Sequence, residues 1–353
     1  MSLPIVGIKT AYMPFADINQ QPKSWKDSAL GVIGFGTIES TNNATETLEI
    51  PTIQLPAPVL DGANIAVEIW LSHHALLQGK PLKNGQRDAI QYRLNDELLF
   101  GVISVPELGS LQTATESAYC QIFALMEALD YPHIYRFWNY MADINGISHG
   151  INGDLERYRQ FNVGRKDAFL AYENGIGDQL PAACALGLAD GPLAIAFLLG
   201  REAPIAIQNP RQINAYEYPD EYGPRTPNFS RATLLRTEQN PLLFISGTAS
   251  IVGHLTLHLS NVIAQTNETL VNLEAVITEA NHVLGEQIFN LHDIYFRVYI
   301  RHAADLSAVR NEMQRYIGGA IKAVFIQADI CRQELLLEIE ATAGQMLEIS
   351  QAE

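Results

Sequence analysis

The sequence predicts an α+β fold in which one small domain is present twice, its mixed sheets backed by helices. Three correspondences predict it. Glu97-Leu98-Leu99-Phe100-Gly101-Val102-Ile103-Ser104 resembles Pro241-Leu242-Leu243-Phe244-Ile245-Ser246-Gly247-Thr248. A helix-like run follows in each half, Glu116 to Leu129 and Gln265 to Ala280. An aromatic strand comes next, Tyr135-Arg136-Phe137-Trp138-Asn139-Tyr140-Met141 against Tyr295-Phe296-Arg297-Val298-Tyr299-Ile300-Arg301. A second helix-like run (Leu155 to Tyr172; Leu306 to Tyr316) and two further strands complete each half. A period this long is not that of a solenoid array. In a fusion of whole domains, one copy can become scaffold while the other carries a site.

Along the chain, residues 1–90 read as an N-terminal extension packed on the first repeat. Within it, Asn42 to Thr45 and Leu82 to Gln86 are loop-like, and Ile65, Val67 and Ile69 alternate as in a strand. The first repeat spans 91–204. A connector rich in Pro, Tyr and Arg spans 205–231, and the second repeat spans 232–353. The second copy is the better preserved. Glu268, Val271, Asn272, Ala275, Val276 and Glu279 recur at helical steps. In 295–301, Phe296, Val298 and Ile300 point to one face; Tyr295, Arg297, Tyr299 and Arg301 point to the other. Two strands, Val324 to Ala328 and Leu335 to Glu340, flank a turn at Asp329 to Gln333. In the last, Leu335, Leu337 and Ile339 are expected on one face, and Leu336, Glu338 and Glu340 on the other. If the sheet of the other repeat covers this polar face, it lines a pocket. A solvated face with cross-strand ion pairs would give the same pattern.

Composition narrows the function. With 353 residues, 47% apolar and 18% charged, the chain can bury a sizeable core. A net charge of −16 argues against a nucleic-acid partner, although a local Arg cluster can still hold a small anion. Three widely spaced cysteines, Cys120, Cys184 and Cys331, form neither a disulfide framework nor a zinc pattern. With no signal-peptide pattern and no apolar run long enough to cross a bilayer, a cytoplasmic location and no membrane partner are expected. His73-His74 sits on strand-like sequence, where adjacent side chains diverge, so no metal site is expected.

The second repeat resembles the YjgF-like (RidA-like) imine deaminase fold. Leu243-Phe244-Ile245-Ser246-Gly247, Tyr299-Ile300-Arg301 and Leu337-Glu338-Ile339-Glu340-Ala341 carry the resemblance. Proteins of that fold form trimers whose sheets make a barrel, with sites between neighbouring subunits, so two fused repeats imply a pseudo-trimer-like sheet core. The Arg used by the deaminases falls here on Ala323, so imine deamination is not expected.

A narrower resemblance spans residues 90 to 346. The motifs are Arg136-Phe137-Trp138-Asn139-Tyr140, the run from Glu156 to Arg165, Asn209-Pro210-Arg211-Gln212, Tyr222-Gly223-Pro224-Arg225-Thr226-Pro227, Ser246-Gly247-Thr248-Ala249-Ser250 and Gly253-His254. In these the chain resembles the chorismatases. The resemblance implies cleavage of the enolpyruvyl ether of chorismate, with release of pyruvate and without metal or organic cofactor. One branch of that family hydrolyses chorismate to a dihydroxycyclohexadiene carboxylate. Another aromatises the ring to 3-hydroxybenzoate, and a related branch can also give 4-hydroxybenzoate. The resemblance places a Cys seven residues before the active-site Glu in the aromatising branch; here Cys331 precedes Glu338.

Breaking a vinyl ether requires a proton on its methylene carbon, hence an acid still neutral at working pH. A buried carboxyl has the raised pKa this needs, and Glu338 lies between Leu337 and Ile339. Cys331 would line the site and steer the product, or serve as a small buried hydrophobe. Two substrate carboxylates call for Arg forks. The expected binding residues are Arg165, Arg225 and Arg301, with Tyr216 and Tyr222 as neutral donors and Gly247 and Thr248 bringing backbone close to the ligand. Arg157, Arg159, Arg211 and Arg231 are explained equally well as surface ion pairs. The expected enzyme is a monomer or small homo-oligomer giving hydroxybenzoate and pyruvate. A non-catalytic small-molecule binding protein of the same fold is the competing reading.

Overall fold

A computed structural model describes residues 7–36, 49–61, 65–78, 81–151, 153–172, 180–237 and 240–349; the loop expected at Asn42 to Thr45 lies outside them. Three sheets surround one interior. The first contains β1 (Ile8–Pro14), β2 (Ala29–Gly36), β3 (Thr52–Leu55) and β4 (Ile65–Ser72). The second contains β5 (Lys83–Arg87), β6 (Ile90–Leu94), β7 (Leu98–Val105) and β8 (His133–Ala142). Past the hairpin of β9 (Ile147–Gly150) and β10 (Gly153–Glu156), β11 (Ala182–Leu188) and β12 (Leu193–Gly200) complete it. The third holds β13 (Ile205–Ile207), β14 (Ala232–Leu235) and β15 (Leu242–Thr248). After a small hairpin of β16 (Ile251–Val252) and β17 (Leu255–Thr256), it adds β18 (Tyr295–Ile300), β19 (Lys322–Gln327) and β21 (Leu337–Ala343). The two-residue β20 (Asp329–Ile330) crosses over to pair with β11, and β22 (Met346–Ile349) returns to pair with β1.

The sheet orders are β22-β1-β4-β2-β3, β20-β11-β8-β12-β7-β6-β5 and β13-β14-β15-β21-β18-β19. All three share a four-strand core. The first strand lies beside the fourth, the fourth beside the second, and the second beside the third, with only the last pair parallel. To the two copies legible in the sequence the structure therefore adds a third sheet of the same order. In the first sheet, the short helices Phe15–Gln20 and Lys23–Asp27 stand where the other copies carry helices Leu111–Leu129 and Val262–Leu284.

Those long helices start and stop where local chemistry tells them to. Ser110 and Asn261 accept the free N–H groups of Thr113 and Ala264, and Gly285 ends the second helix in the left-handed region. Helix Arg157–Ala171 crosses Leu111–Leu129 closely at Gly164, where a Cβ would stand 2.1 Å from the Gln112 carbonyl oxygen. The helices cover the outer faces of the second and third sheets. The inner faces of all three meet in one core containing Phe35, Trp70, Phe100, Trp138, Tyr140, Phe244 and Tyr299. Phe296, Val298, Ile300, Leu337 and Ile339 pack on the helix side as expected. Leu335 does not join them. It precedes the strand, in the turn, and packs in the inner core. His73 opens a short helix, His73–Gln78, rather than continuing a strand.

The second and third sheets are stitched together edge to face. Ala183 N–H donates to Ser246 Oγ at 2.9 Å, Ala182 N–H to Thr233 Oγ1 at 2.7 Å, and Ser230 N–H to the Pro181 carbonyl at 3.0 Å. Each side-chain acceptor or loop N–H satisfies part of a strand edge that would otherwise be buried unpaired. A cavity opens beside this seam.

Candidate active site

The cavity holds about 440 Å³, within the range of small-molecule sites. β11 and helix Arg157–Ala171 form one wall; β15, β21 and the turn before it form another. The connector closes over it with Tyr218, Tyr222, Phe229 and Arg231.

Glu338 projects from β21 and is 4% exposed. Its Oε1 makes no hydrogen bond among the described residues. Burial, then the neighbouring carboxylate of Glu340, pushes its pKa up to about 8, against a smaller lowering by Arg136. Glu338 is thus a protonated acid at neutral pH, facing a cavity. Its place depends on an irregularity in the neighbouring strand. Ile245 pairs with Ala341 but Thr248 with Ile339, so β15 carries one extra residue between them. Gly247 lies in that bulge, and its missing side chain makes room for the Glu338 carboxyl.

Glu340, two residues on, has the opposite surroundings. Arg136 ion-pairs with it, and Arg297 Nη1 lies 2.5 Å from its Oε1. Arg297 also holds Glu68 at 2.5 Å, and Tyr299 donates to Glu340 Oε1 at 3.2 Å. Burial penalises the Glu340 charge, but Arg297 and Arg136 outweigh it and hold the carboxyl below its ordinary range.

Cationic groups line the same cavity. Arg165 is 2% exposed, amid the rings of Tyr119, Phe137, Phe161 and Phe169. Its Nε and Nη2 make no hydrogen bond among the described residues. Arg231 donates to the Ile213 carbonyl and to Tyr218 Oη, leaving Nε without a partner. Arg332 lies 4.2 Å over the Tyr222 ring and donates to the His254 carbonyl, and its Nη2 is likewise unpaired. Buried guanidinium nitrogens are costly without an acceptor. Three of them around one cavity form a receptor for an anion with several oxygens.

Cys331 lines the cavity as a thiol. Burial, then the Glu338 charge, pushes its pKa up to about 12. Cys184, from β11, lines it as well, its pKa raised mainly by burial. No group of metal-ligating side chains occurs among the described residues.

The chain has relatives among known proteins. A 3-hydroxybenzoate synthase of Streptomyces hygroscopicus is 34% identical to this chain, over 88% of it and 90% of the relative. A chorismatase of the same organism is 36% identical, over 77% and 78%. The chain belongs to the chorismatase family. A chorismatase crystal structure, 30% identical, superposes with a TM-score of 0.81 over 97% of this chain and 99% of that one. The model for the N-terminal part of FkbO/Hyg5-like chorismatases matches residues 68–199.

Of the residues expected at a chorismatase site, Glu338, Cys331, Arg165, Tyr222 and Gly247 line the one cavity. Tyr216, Arg225, Thr248 and Arg301 do not. Arg301 clamps the turn before β21, donating to the carbonyls of Leu335, Ile330 and Arg332 and pairing with Asp329 at 2.6 Å. Arg225 is half-exposed and pairs with Asp167 at 3.3 Å. Thr248 points away and donates to the Ser246 carbonyl, and Tyr216 packs at the edge of the second-sheet core. Among the arginines set aside as surface pairs, Arg157, Arg159 and Arg211 do pair, with Glu107, Glu156 and Glu268, and Arg159 also lines the cavity. Arg231, however, is buried in the cavity. The sequence held a signal for Arg231, since it directly precedes the mostly apolar stretch Ala232-Thr233-Leu234-Leu235. Arg332, missed altogether, stands next to Cys331.

Proposed function

We propose that this chain cleaves the enolpyruvyl ether of chorismate to pyruvate and 3-hydroxybenzoate, with Glu338 as the acid. The observation that carries this is the presence, in one cavity, of a neutral buried carboxyl and three guanidiniums that have unpaired nitrogens. The guanidiniums of Arg165, Arg231 and Arg332 take the two substrate carboxylates. Glu338 gives its proton to the enolpyruvyl methylene carbon, which becomes a methyl group, and the positive charge is shared with the ether oxygen. The bond from that oxygen to the ring then breaks, its electron pair staying on oxygen, and pyruvate departs. The ring is left cationic. Its adjacent hydroxyl shifts to the cationic carbon, a ring proton returns to the Glu338 carboxylate, and the ring becomes aromatic. Hydroxybenzoate and pyruvate together hold the atoms of chorismate, so no water is consumed. A closed site that excludes water favours this outcome over hydrolysis.

In this reading the second repeat, 232–353, supplies the acid, the first repeat, 91–204, supplies the facing wall, and residues 205–231 cover the substrate. The cavity is lined from within one chain, which fits a monomer or small homo-oligomer in the cytoplasm. The test is to incubate purified protein with chorismate, couple pyruvate to lactate dehydrogenase and separate the ring products by chromatography with mass detection. Equal amounts of pyruvate and 3-hydroxybenzoate are expected. Absence of pyruvate would leave a binding protein, and a dihydroxydiene product would place the chain in the hydrolysing branch.

A further inference from the structure

We infer that Glu340 is a positioning residue for the reaction: it draws the buried cations onto itself and so keeps the neighbouring Glu338 neutral and able to donate its proton. The inference rests on the reading of Glu338 as the acid. Glu338 and Glu340 alternate with Leu337, Ile339 and Ala341, so they share the inner face of β21. Both are nearly inaccessible, at 4% and 3%. The cations near this face are not shared between them. Arg136 reaches across from β8 to Glu340, and Arg297 from β18 does the same. Arg136 is fixed by a second bond to the Ile245 carbonyl, and Arg297 by its pair with Glu68. Tyr299, opposite Glu338 in the β18 register, directs its hydroxyl to Glu340. Glu338 receives none of these bonds, and its Oε1 is unpaired.

The other titratable groups facing Glu338 do not replace them. Cys331 from the turn, Cys184 from β11 and Tyr158 from helix Arg157–Ala171 are all neutral, their pKa values raised mainly by burial. Arg165, Arg231 and Arg332 line the same cavity, but none of them pairs with Glu338; the charged groups that shift its carboxyl are Glu340, which opposes its ionisation, and Arg136, which favours it. Two strand residues apart on one face, the two residues stand about 7 Å apart along the backbone. At that spacing one buried charge moves a neighbour's titration by about one to two pH units. Glu340 also neutralises the very cations that would otherwise ionise Glu338.

Opposite substitutions test this. In Glu340→Gln the opposing charge is gone and Arg136 is released, so the basic limb of the kcat profile should move down by about one to two pH units. In Arg136→Gln the favouring charge is gone, and the limb should move up. Disruption of packing alone would lower the rate without moving the two limbs in opposite directions. The Glu338 carboxyl is titrated in parallel by infrared difference spectroscopy against Glu338→Gln. Unmoved titration, or movement of both variants in one direction, overturns the inference. If only one variant folds, the sign of its shift decides. If the carboxyl titration moves as stated while the kcat limb stays, the inference about Glu340 stands and the acid role of Glu338 falls.

Discussion

A Cβ placed on Gly247 would stand 1.8 Å from Glu338 Oε1. The glycine is therefore a condition for where the acid sits. The colliding atom is the end of a flexible side chain, so Gly247→Ala should fold, with the carboxyl turned aside. Misplacing a catalytic group by about 1 Å is costly to the rate, and we expect kcat to fall by about tenfold or more. KM should change little, since the guanidiniums are untouched. Pyruvate-coupled kinetics with a thermal melt checks this. An unchanged kcat in a folded variant would mean that the carboxyl need not stand there.

Glu338→Gln keeps the shape of the acid and removes its proton. Pyruvate release should fall by about 10²-fold or more, with chorismate binding retained in calorimetry. Turnover at the parental rate would remove Glu338 from the role.

The same substitution should show a pH signature in stability. A carboxyl with a folded pKa of about 8, against an ordinary value of 4.5, binds its proton more tightly in the folded state than in the unfolded one. Below 4.5 both states are protonated and nothing is lost. As pH rises from 4.5 towards 8 the unfolded state ionises and the folded state does not, so the parent loses stability. Glutamine has no such loss. The Tm of Glu338→Gln should rise relative to the parent between about pH 5 and pH 8. A gap that stays constant would mean that Glu338 titrates normally when folded.

Much of this architecture could be read from sequence because it rests on local periodicity. Alternation in Tyr295 to Arg301 and helical steps in Glu268 to Glu279 placed a strand and a helix where they stand. The third sheet was harder to read. Its helices have shrunk to Phe15–Gln20 and Lys23–Asp27, and its edge strand β22 comes from the other end of the chain. Glu338 and Gly247 were legible through a motif and through the strand period. Of the cavity arginines only Arg165 was; Arg231 and Arg332 were not, because an Arg reaches several ångströms and its partner is decided by tertiary packing. Arg301 is consumed by the carbonyls of its own turn, whereas Arg231 and Arg165 are left with unpaired nitrogens.

That difference gives a prediction separating binding from structure. In Arg165→Met a buried cation without an anion partner is replaced by an apolar chain among four aromatic rings. Such replacements are neutral or stabilising, so Tm should hold or rise. A lost charge-assisted contact to the substrate is worth about 1.5–3 kcal/mol, so KM should rise roughly tenfold to a hundredfold. Arg301→Ala should behave in the opposite way, with a lowered Tm as the turn loosens, while Arg225→Ala should leave both quantities near parental values. A KM unchanged in Arg165→Met would exclude this residue from substrate recognition.

Cys331 is the residue we propose to decide between product branches. Its thiol stays protonated at any working pH, because burial and the Glu338 charge push it up to about 12. It cannot act as a thiolate nucleophile, and its contribution is shape and a weak polar contact beside the acid. Once pyruvate has left, the ring cation has two outcomes: shift of its own hydroxyl, or capture by water. Alanine at this position leaves space for a water molecule next to the ring. Cys331→Ala should therefore still release pyruvate, but with less hydroxybenzoate and more of the non-aromatic dihydroxydiene. Loss of one sulfur from a packed wall should lower stability by on the order of 1 kcal/mol, too little to unfold the site. Product partition by liquid chromatography with mass detection reads the result. Parental products in the parental ratio would make Cys331 a packing residue, and the exclusion of water would then have to come from the connector residues Tyr218, Tyr222 and Phe229 that close over the cavity.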